Sequence, residues 1–245
     1  MNSKRFINQR QTGLSIVELM VGIAVGLFVL VGAAKLFGDY VVSNKRLLLE
    51  TRVNQDLRAA SDIVARDLRR AGYWNNATAG VWGTGAAAII ANPHATGVGA
   101  VSSTATSVSY SYARTSGGSL NGPADANEYA GFRQTLVGAV NVLQMQDGQG
   151  NWQAVTDPGT VNVTTFSVTA ASPALVNDLS SYCGCLARLT CTLTSIAATG
   201  TPPTLTIPSF NIVLTGQSVA DSTIQRTLHE TVRVRNATLT GTCPA

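Results

Sequence analysis

The chain is poor in charge, and the little it has is unevenly placed. Charged residues make up 12% of the 245, and residues 72–245 contain no lysine at all, only six arginines against seven carboxylates. The basic isoelectric point near 9.0 therefore belongs to the amino-terminal third. Lys4, Arg5 and Arg10 stand there without an acid, and residues 14–71 add eight basic to six acidic side chains. A near-neutral remainder removes the simplest argument for nucleic-acid binding. Proline is missing between Leu14 and Gly72, so nothing in that span has to break a helix. Histidine occurs twice, at 94 and 229, with no nucleophile motif beside either, and structural roles are expected for both rather than catalysis. Gly83–Gly85 is not followed by the Lys-Ser/Thr of a phosphate-cradling loop, which excludes nucleotide-driven work by this chain. No enzyme activity, cofactor or metal is expected.

One long hydrophobic run is present. Arg10-Gln-Thr-Gly-Leu-Ser-Ile-Val-Glu-Leu-Met leads into an apolar stretch ending at Ala34. Leu14–Ala34 would be about 31 Å long as a helix, matching a bilayer core. It carries one acid, Glu18. A carboxylate near the centre of a spanning helix costs about 2.5–3.5 kcal/mol, so such a residue is expected to have a function and a partner. An ordinary secretory signal has its small-residue cleavage site after the apolar region. Here Gly13 precedes it, and a cut there removes the positive charges while keeping the membrane segment. Those charges place the leader on the cytoplasmic side and the remainder in the periplasm. The plainer alternative is a signal-anchor helix with an incidental Glu18.

The helical pattern continues past the membrane. Val53, Leu57, Ala60, Val64, Leu68 and Ala71 recur at three- and four-residue spacings and form one apolar stripe. Asp62 and Arg66 are spaced for an ion pair, and Gly72 supplies a stop signal after Arg69 and Arg70. Residues 14–72 thus predict one helix of about 87 Å. Beyond it, residues 75–125 are rich in Gly, Ala, Ser, Thr and Asn and read as long loops with one strand, 107–113. Further strands are expected at 137–144, 161–170, 204–214 and 225–236, the third broken by Pro208. Asp147-Gly-Gln-Gly150 marks a turn. The class is α+β, a long helix packed on an antiparallel sheet. Its parts are a leader at 1–13, a transmembrane half at 14–34, an amphipathic half at 35–72 and a β-rich domain at 73–245. Tyr110, Tyr112, Trp74, Trp82 and Trp152 are read as core before ligand contacts.

All four cysteines are late: Cys183, Cys185, Cys191 and Cys243. An even number in an exported domain favours disulfides. Cys183 and Cys185 are poorly spaced to bond each other. That leaves Cys183–Cys191 with Cys185–Cys243, or Cys183–Cys243 with Cys185–Cys191. A four-thiolate zinc site would have a ligand spacing that fits no common zinc pattern.

Gly13, Leu14 and Glu18 resemble the class III leader of type IV prepilins and type II secretion pseudopilins: a short basic leader, Gly, a hydrophobic residue, three residues, then Glu. The resemblance implies cleavage after Gly13 by a prepilin peptidase and methylation of the new amine on Leu14. Glu18 would then pair with a neighbouring subunit's amino terminus in a filament. The usual first mature residue is Phe, so Leu14 departs from the pattern. The run Arg66-Asp-Leu-Arg-Arg-Ala-Gly-Tyr73 is similar to the helix end of the PilW family of minor pilins, and Val232-Arg-Val-Arg-Asn236 resembles that family's closing strand. A PilW-like minor pilin would help initiate type IV pilus assembly in a tip or priming complex. Its partners would be the prepilin peptidase, other minor pilins, the major pilin and the inner membrane, without direct contact to nucleic acid. The alternatives are a minor pseudopilin of a type II secretion system, and a pilus-tip adhesin or DNA-uptake subunit.

Overall fold

With no proline to interrupt it, the helical run folds as a single element, α1, Ile16–Leu68. It is seen in a computed structural model that describes residues 13, 15–77, 92–94, 102–114, 125–148, 150–172, 174–179 and 204–240. The chain divides into two units, residues 1–48 and 49–245. In the first, every described residue is exposed. In the second, the expected stripe is sunk in the core: Val53, Leu57, Ala60, Val64, Leu68 and Ala71 are each at most 2% exposed. The helix stops four residues before the position read from Gly72. Its last turn tightens instead into three-residue hydrogen bonds, from Arg70 to the Asp67 carbonyl (3.0 Å) and from Ala71 to that of Leu68 (3.1 Å). This is a common ending for an α-helix. Gly72 then takes a left-handed φ of 72°. Asp62 and Arg66 make no ion pair with each other among the described residues; both are exposed, where such a pair is worth little.

Among the described residues the strands are all antiparallel and form three sheets. β1 (Ser102–Ser103), β2 (Ser107–Ser111), β3 (Tyr129–Val137), β4 (Val140–Gln146) and β5 (Trp152–Ala154) lie in that order in the first. β6 (Val161–Ala170), β9 (Ser209–Ser218) and β10 (Gln225–Arg233) form the second, with β9 central. β7 (Leu175–Asp178), β8 (Thr204–Ile207) and β11 (Thr238–Thr240) form the third, with β8 central. The architecture is therefore the α+β plan of a long apolar helix and antiparallel sheets. Inward-facing Tyr110, Phe132 and Leu143 of the first sheet share one core with Phe166, Ile212, Leu214 and Val232 of the second and with the helix stripe. Gln134 Nε2 donates to the Val163 carbonyl (2.8 Å) and Asn141 N–H to Asn162 Oδ1 (2.9 Å), fastening β3 and β4 to β6.

One strand expectation needs correction. The strand expected at 137–144 is the second arm of a hairpin whose turn is at Gly138, φ 65°. Its first arm, β3, went unread because Ala130, Gly131 and Gln134 dilute its alternation. Pro208 divides β8 from β9 as expected. Tyr110, Tyr112 and Trp74 are buried, Trp152 is half-buried, and Trp82 lies outside the described residues.

β10 runs alongside α1 in the same direction. Arg226 Nη2 meets Glu50 Oε2 at 2.9 Å, and Ser61 Oγ donates to Glu230 Oε2 at 2.7 Å. Arg235 N–H, just past the strand, donates to the Arg69 carbonyl at 3.1 Å. Glu230 broke the apolar alternation in sequence because it faces the helix as a hydrogen-bond acceptor. The central strand leaves room for the helix at Gly216: a Cβ there would lie 2.7 Å from Val161 Cγ1 and 2.9 Å from Leu57 Cδ2. Gly216→Ala is expected to cost about 1–3 kcal/mol through overpacking, and less in a Leu57→Ala background, where the methyl gains space. Urea unfolding of the two single variants, the double variant and the wild type measures the coupling; strictly additive costs would contradict the packing described.

Candidate functional site

The amino-terminal candidates sit at the head of α1. Gly13 is exposed, Glu18 lies in the first helical turn, and Leu14 lies outside the described residues. Around Glu18 the large apolar side chains Ile16, Val17, Leu19, Met20 and Val21 are all exposed. The helix is long and apolar enough to cross a membrane. A carboxylate on such a surface is poorly solvated in lipid and is stabilised there only by a counter-charge or a donor.

The second candidate region is where Arg66–Tyr73 meets the stretch ending at Asn236. A chain leaving a helix has carbonyls with no continuing helical partner, and here the five in succession from Arg69 to Tyr73 accept from distant donors, Arg70 also from the Tyr73 N–H at 3.0 Å. Arg235 N–H serves Arg69, and Asn236 Nδ2 serves both Arg70 (3.3 Å) and Ala71 (3.0 Å). Asn92 Nδ2 serves Gly72 (3.0 Å), and Ala113 N–H serves Tyr73 (2.9 Å). Side chains add to this clamp. The Tyr110 hydroxyl donates to Asp67 Oδ2, and burial, helped by the Asp67 charge, pushes the phenol well above its usual pKa. Arg70 stacks over the Tyr112 ring at 4.3 Å and approaches Asp67 at 3.5 Å. Arg69 approaches Glu230 at 3.9 Å. The two stretches that carry the sequence resemblance are thus two halves of one device, with Val232 and Val234 buried beside it.

Next to the clamp is a polar cluster that sequence reasoning missed. His94 is buried at 3% exposure, with Nδ1 2.8 Å from Ser111 Oγ and Nε2 3.8 Å from Glu128 Oε2. The His94 N–H donates to Asn92 Oδ1 at 2.8 Å, and Asp125 N–H donates to Glu128 Oε2 at 2.9 Å. Burial holds the imidazole below its ordinary pKa, and the Glu128 charge opposes this only in part. A neutral ring with its proton on Nε2 leaves Nδ1 free to accept from the serine hydroxyl. Ser, His and Glu are also the residue types of hydrolytic triads. Ser111, however, is wholly buried, and a nucleophile needs a path to substrate. The Asp125-x-x-Glu128 spacing was the available sequence signal. His229 is exposed on β10, away from this cluster.

No group of three or more His, Cys, Asp or Glu is placed to hold a metal among the described residues. Asp147 is engaged in its own turn: its carboxylate accepts the Asn151 N–H at 2.9 Å. Cys183, Cys185, Cys191 and Cys243 lie outside the described residues.

Residues 46–234 match the family model of prepilin peptidase-dependent protein B. No curated protein and no solved structure matches the chain. The matched stretch includes Arg66–Tyr73 and the closing strand as far as Val234, while Gly13 and Glu18 precede it.

Two measurements probe this region. Asn236→Ala takes the donor from the Ala71 carbonyl, while that of Arg70 keeps the Tyr73 N–H, and is expected to cost about 1–3 kcal/mol in urea unfolding; an unchanged midpoint would mean that water serves the carbonyl as well. His94 has its folded pKa below the free value of 6.5. Its stabilising contribution is therefore full above that value and is lost as the pH falls through the folded pKa. The stability gap between wild type and His94→Gln is expected to shrink on acidification below pH 6.5, whereas a constant gap would mean that His94 charges without penalty.

Proposed function

The chain belongs to the prepilin peptidase-dependent protein B family, and from that membership we propose that it is a PilW-like minor pilin that helps initiate type IV pilus assembly. The observation that carries this reading is Glu18, the one acid of the apolar stretch that ends at Ala34, five residues after Gly13. The family's description supports processing by a prepilin peptidase, which would cut after Gly13 and leave Leu14 as the methylated amino terminus. The peptidase removes the leader charges, so the apolar helix stays in the inner membrane with the β domain in the periplasm. Docking Glu18 beside another subunit's amino terminus relieves the cost of its charge in lipid. That relief gives assembly a driving force and a register. The priming partners are other minor pilins and then the major pilin, and the finished subunit sits at or near the tip. The four cysteines form two disulfides in that compartment. The chain does no catalysis; cutting and ATP-driven steps belong to other machinery.

Deletion in the native host is expected to abolish surface pili, to restore them in part when the retraction motor is also disabled, and to leave protein secretion intact. Glu18→Ala supplied in place of the wild type should reproduce the loss while the protein still accumulates in the inner membrane. Normal pili with blocked secretion would overturn the proposal in favour of a type II pseudopilin.

A further inference from the structure

Every described residue of the first unit is exposed, yet its charges all fall on one side. The chain from Ile16 to Leu48 lies wholly in α1 and keeps a seven-residue order over its 33 residues. With the seven places written abcdefg, Ile16, Ile23, Leu30, Phe37 and Asn44 take a. Leu19, Gly26, Ala33, Tyr40 and Leu47 take d. The charged residues of the stretch are Glu18, Lys35, Asp39, Lys45 and Arg46, and each falls at b, c or f. In a coiled coil a, d, e and g meet the partner helix, while b, c and f face away. One side of this unit is thus uncharged along its whole length. Lipid does not cover all of that side. Ile16–Leu48 is about 50 Å long against a hydrocarbon core of about 30 Å, and fitting it inside takes a tilt above about 50°, beyond the range of spanning helices. Leu36, Phe37, Tyr40, Val41, Leu47 and Leu48 are 48–73% exposed. Past the end of the bilayer such a face is left to water or to protein.

We propose that this uncharged face docks a second copy of the same chain, as a parallel two-stranded coil in the inner membrane. The inference rests on the membrane anchoring of the proposed function and is independent of a role in initiation. Three features select an identical partner. Copies of a chain with one membrane topology lie parallel and level with one another. Identical charges repel where two copies bring them together, and here every charge points away from the twin. Asn44 is the one polar residue among the a and d places that is neither small nor aromatic. Against an apolar helix its amide is stranded; against its own copy it meets a second Asn44 that both donates and accepts, which fixes a parallel register. Within the bilayer Gly22, Gly26 and Ala33 lie on the same side and let two backbones approach. A Cβ on either glycine meets nothing within 4 Å, so that surface is open. Glu18, at c, stays outside the seam, and the paired chain keeps it for docking beside another subunit's amino terminus.

The test uses the full chain in native-host membranes, single added cysteines and a short thiol-specific cross-linker. Tyr40→Cys and Asn44→Cys place thiols on the seam, and Asp39→Cys and Lys45→Cys place them on the outer side. The wild type sets the baseline for the four native cysteines. The seam variants are expected to give a band of twice the chain mass, and the outer variants nothing above the baseline. When two differently tagged copies are expressed together, both tags should occur in that band. Asn44→Asp in the Tyr40→Cys background sets two carboxylates against each other and should cut the band at least about tenfold. Asp39→Asn in the same background changes an outer place and should leave it. Equal cross-linking from seam and outer thiols, or a band that joins one copy to a different protein, would overturn the proposal. A membrane-resident chain that cross-links nowhere would sink the pairing alone, whereas a chain recovered outside the membrane would sink the anchoring with it.

Discussion

Burial of one helix stripe is the constraint on which the rest of the second unit depends. Val53, Leu57, Ala60, Val64, Leu68 and Ala71 share one buried core with residues of two antiparallel sheets. Surrounding residues are chosen to admit that helix. Gly216 gives its central strand the clearance for Leu57. Glu230 offers Ser61 an acceptor on a face that is otherwise apolar. The helix supplies hydrophobic area, and the strands fix its rotation and its axial position.

That arrangement gives the arginine-rich helix end a structural meaning. A helix that stops inside a folded domain must have its terminal carbonyls satisfied, because a buried unpaired carbonyl costs on the order of 1–3 kcal/mol. Here the donors come from three separate stretches: Asn92, Ala113, and Arg235 with Asn236. Long-range closure of the chain is therefore written into one turn. Residues that look like surface decoration in Arg66–Tyr73 hold the first part of the domain to the last.

Much of the fold was legible because it rests on periodicity. The stripe is regular enough to identify five of the seven buried residues of α1, missing Ser61 and Ala65, and β6 was delimited by its alternating Val161, Val163, Phe166 and Val168 despite a bulge beside Thr164. β3 was not legible, since its key residue is a glycine whose reason is external. A Cβ on Gly131 would sit 2.7 Å from the Val108 carbonyl oxygen, a contact that no local pattern reveals. The buried His94 cluster was hidden for a similar reason, since its members are 17 and 34 positions apart in the chain. Gly13 and Glu18 were the opposite case: spacing alone made them candidates, and they make little use of tertiary structure.

The parallel course of α1 and β10 has a mechanical consequence. A pull along the helix axis loads the Glu50–Arg226 pair, the Ser61–Glu230 bond and the carbonyl clamp at Arg69–Ala71 together. Contacts strained side by side share the force, whereas contacts opened in succession, as in a zipper, each bear it alone. The helix is thus anchored in shear, the geometry in which weak bonds resist tension best.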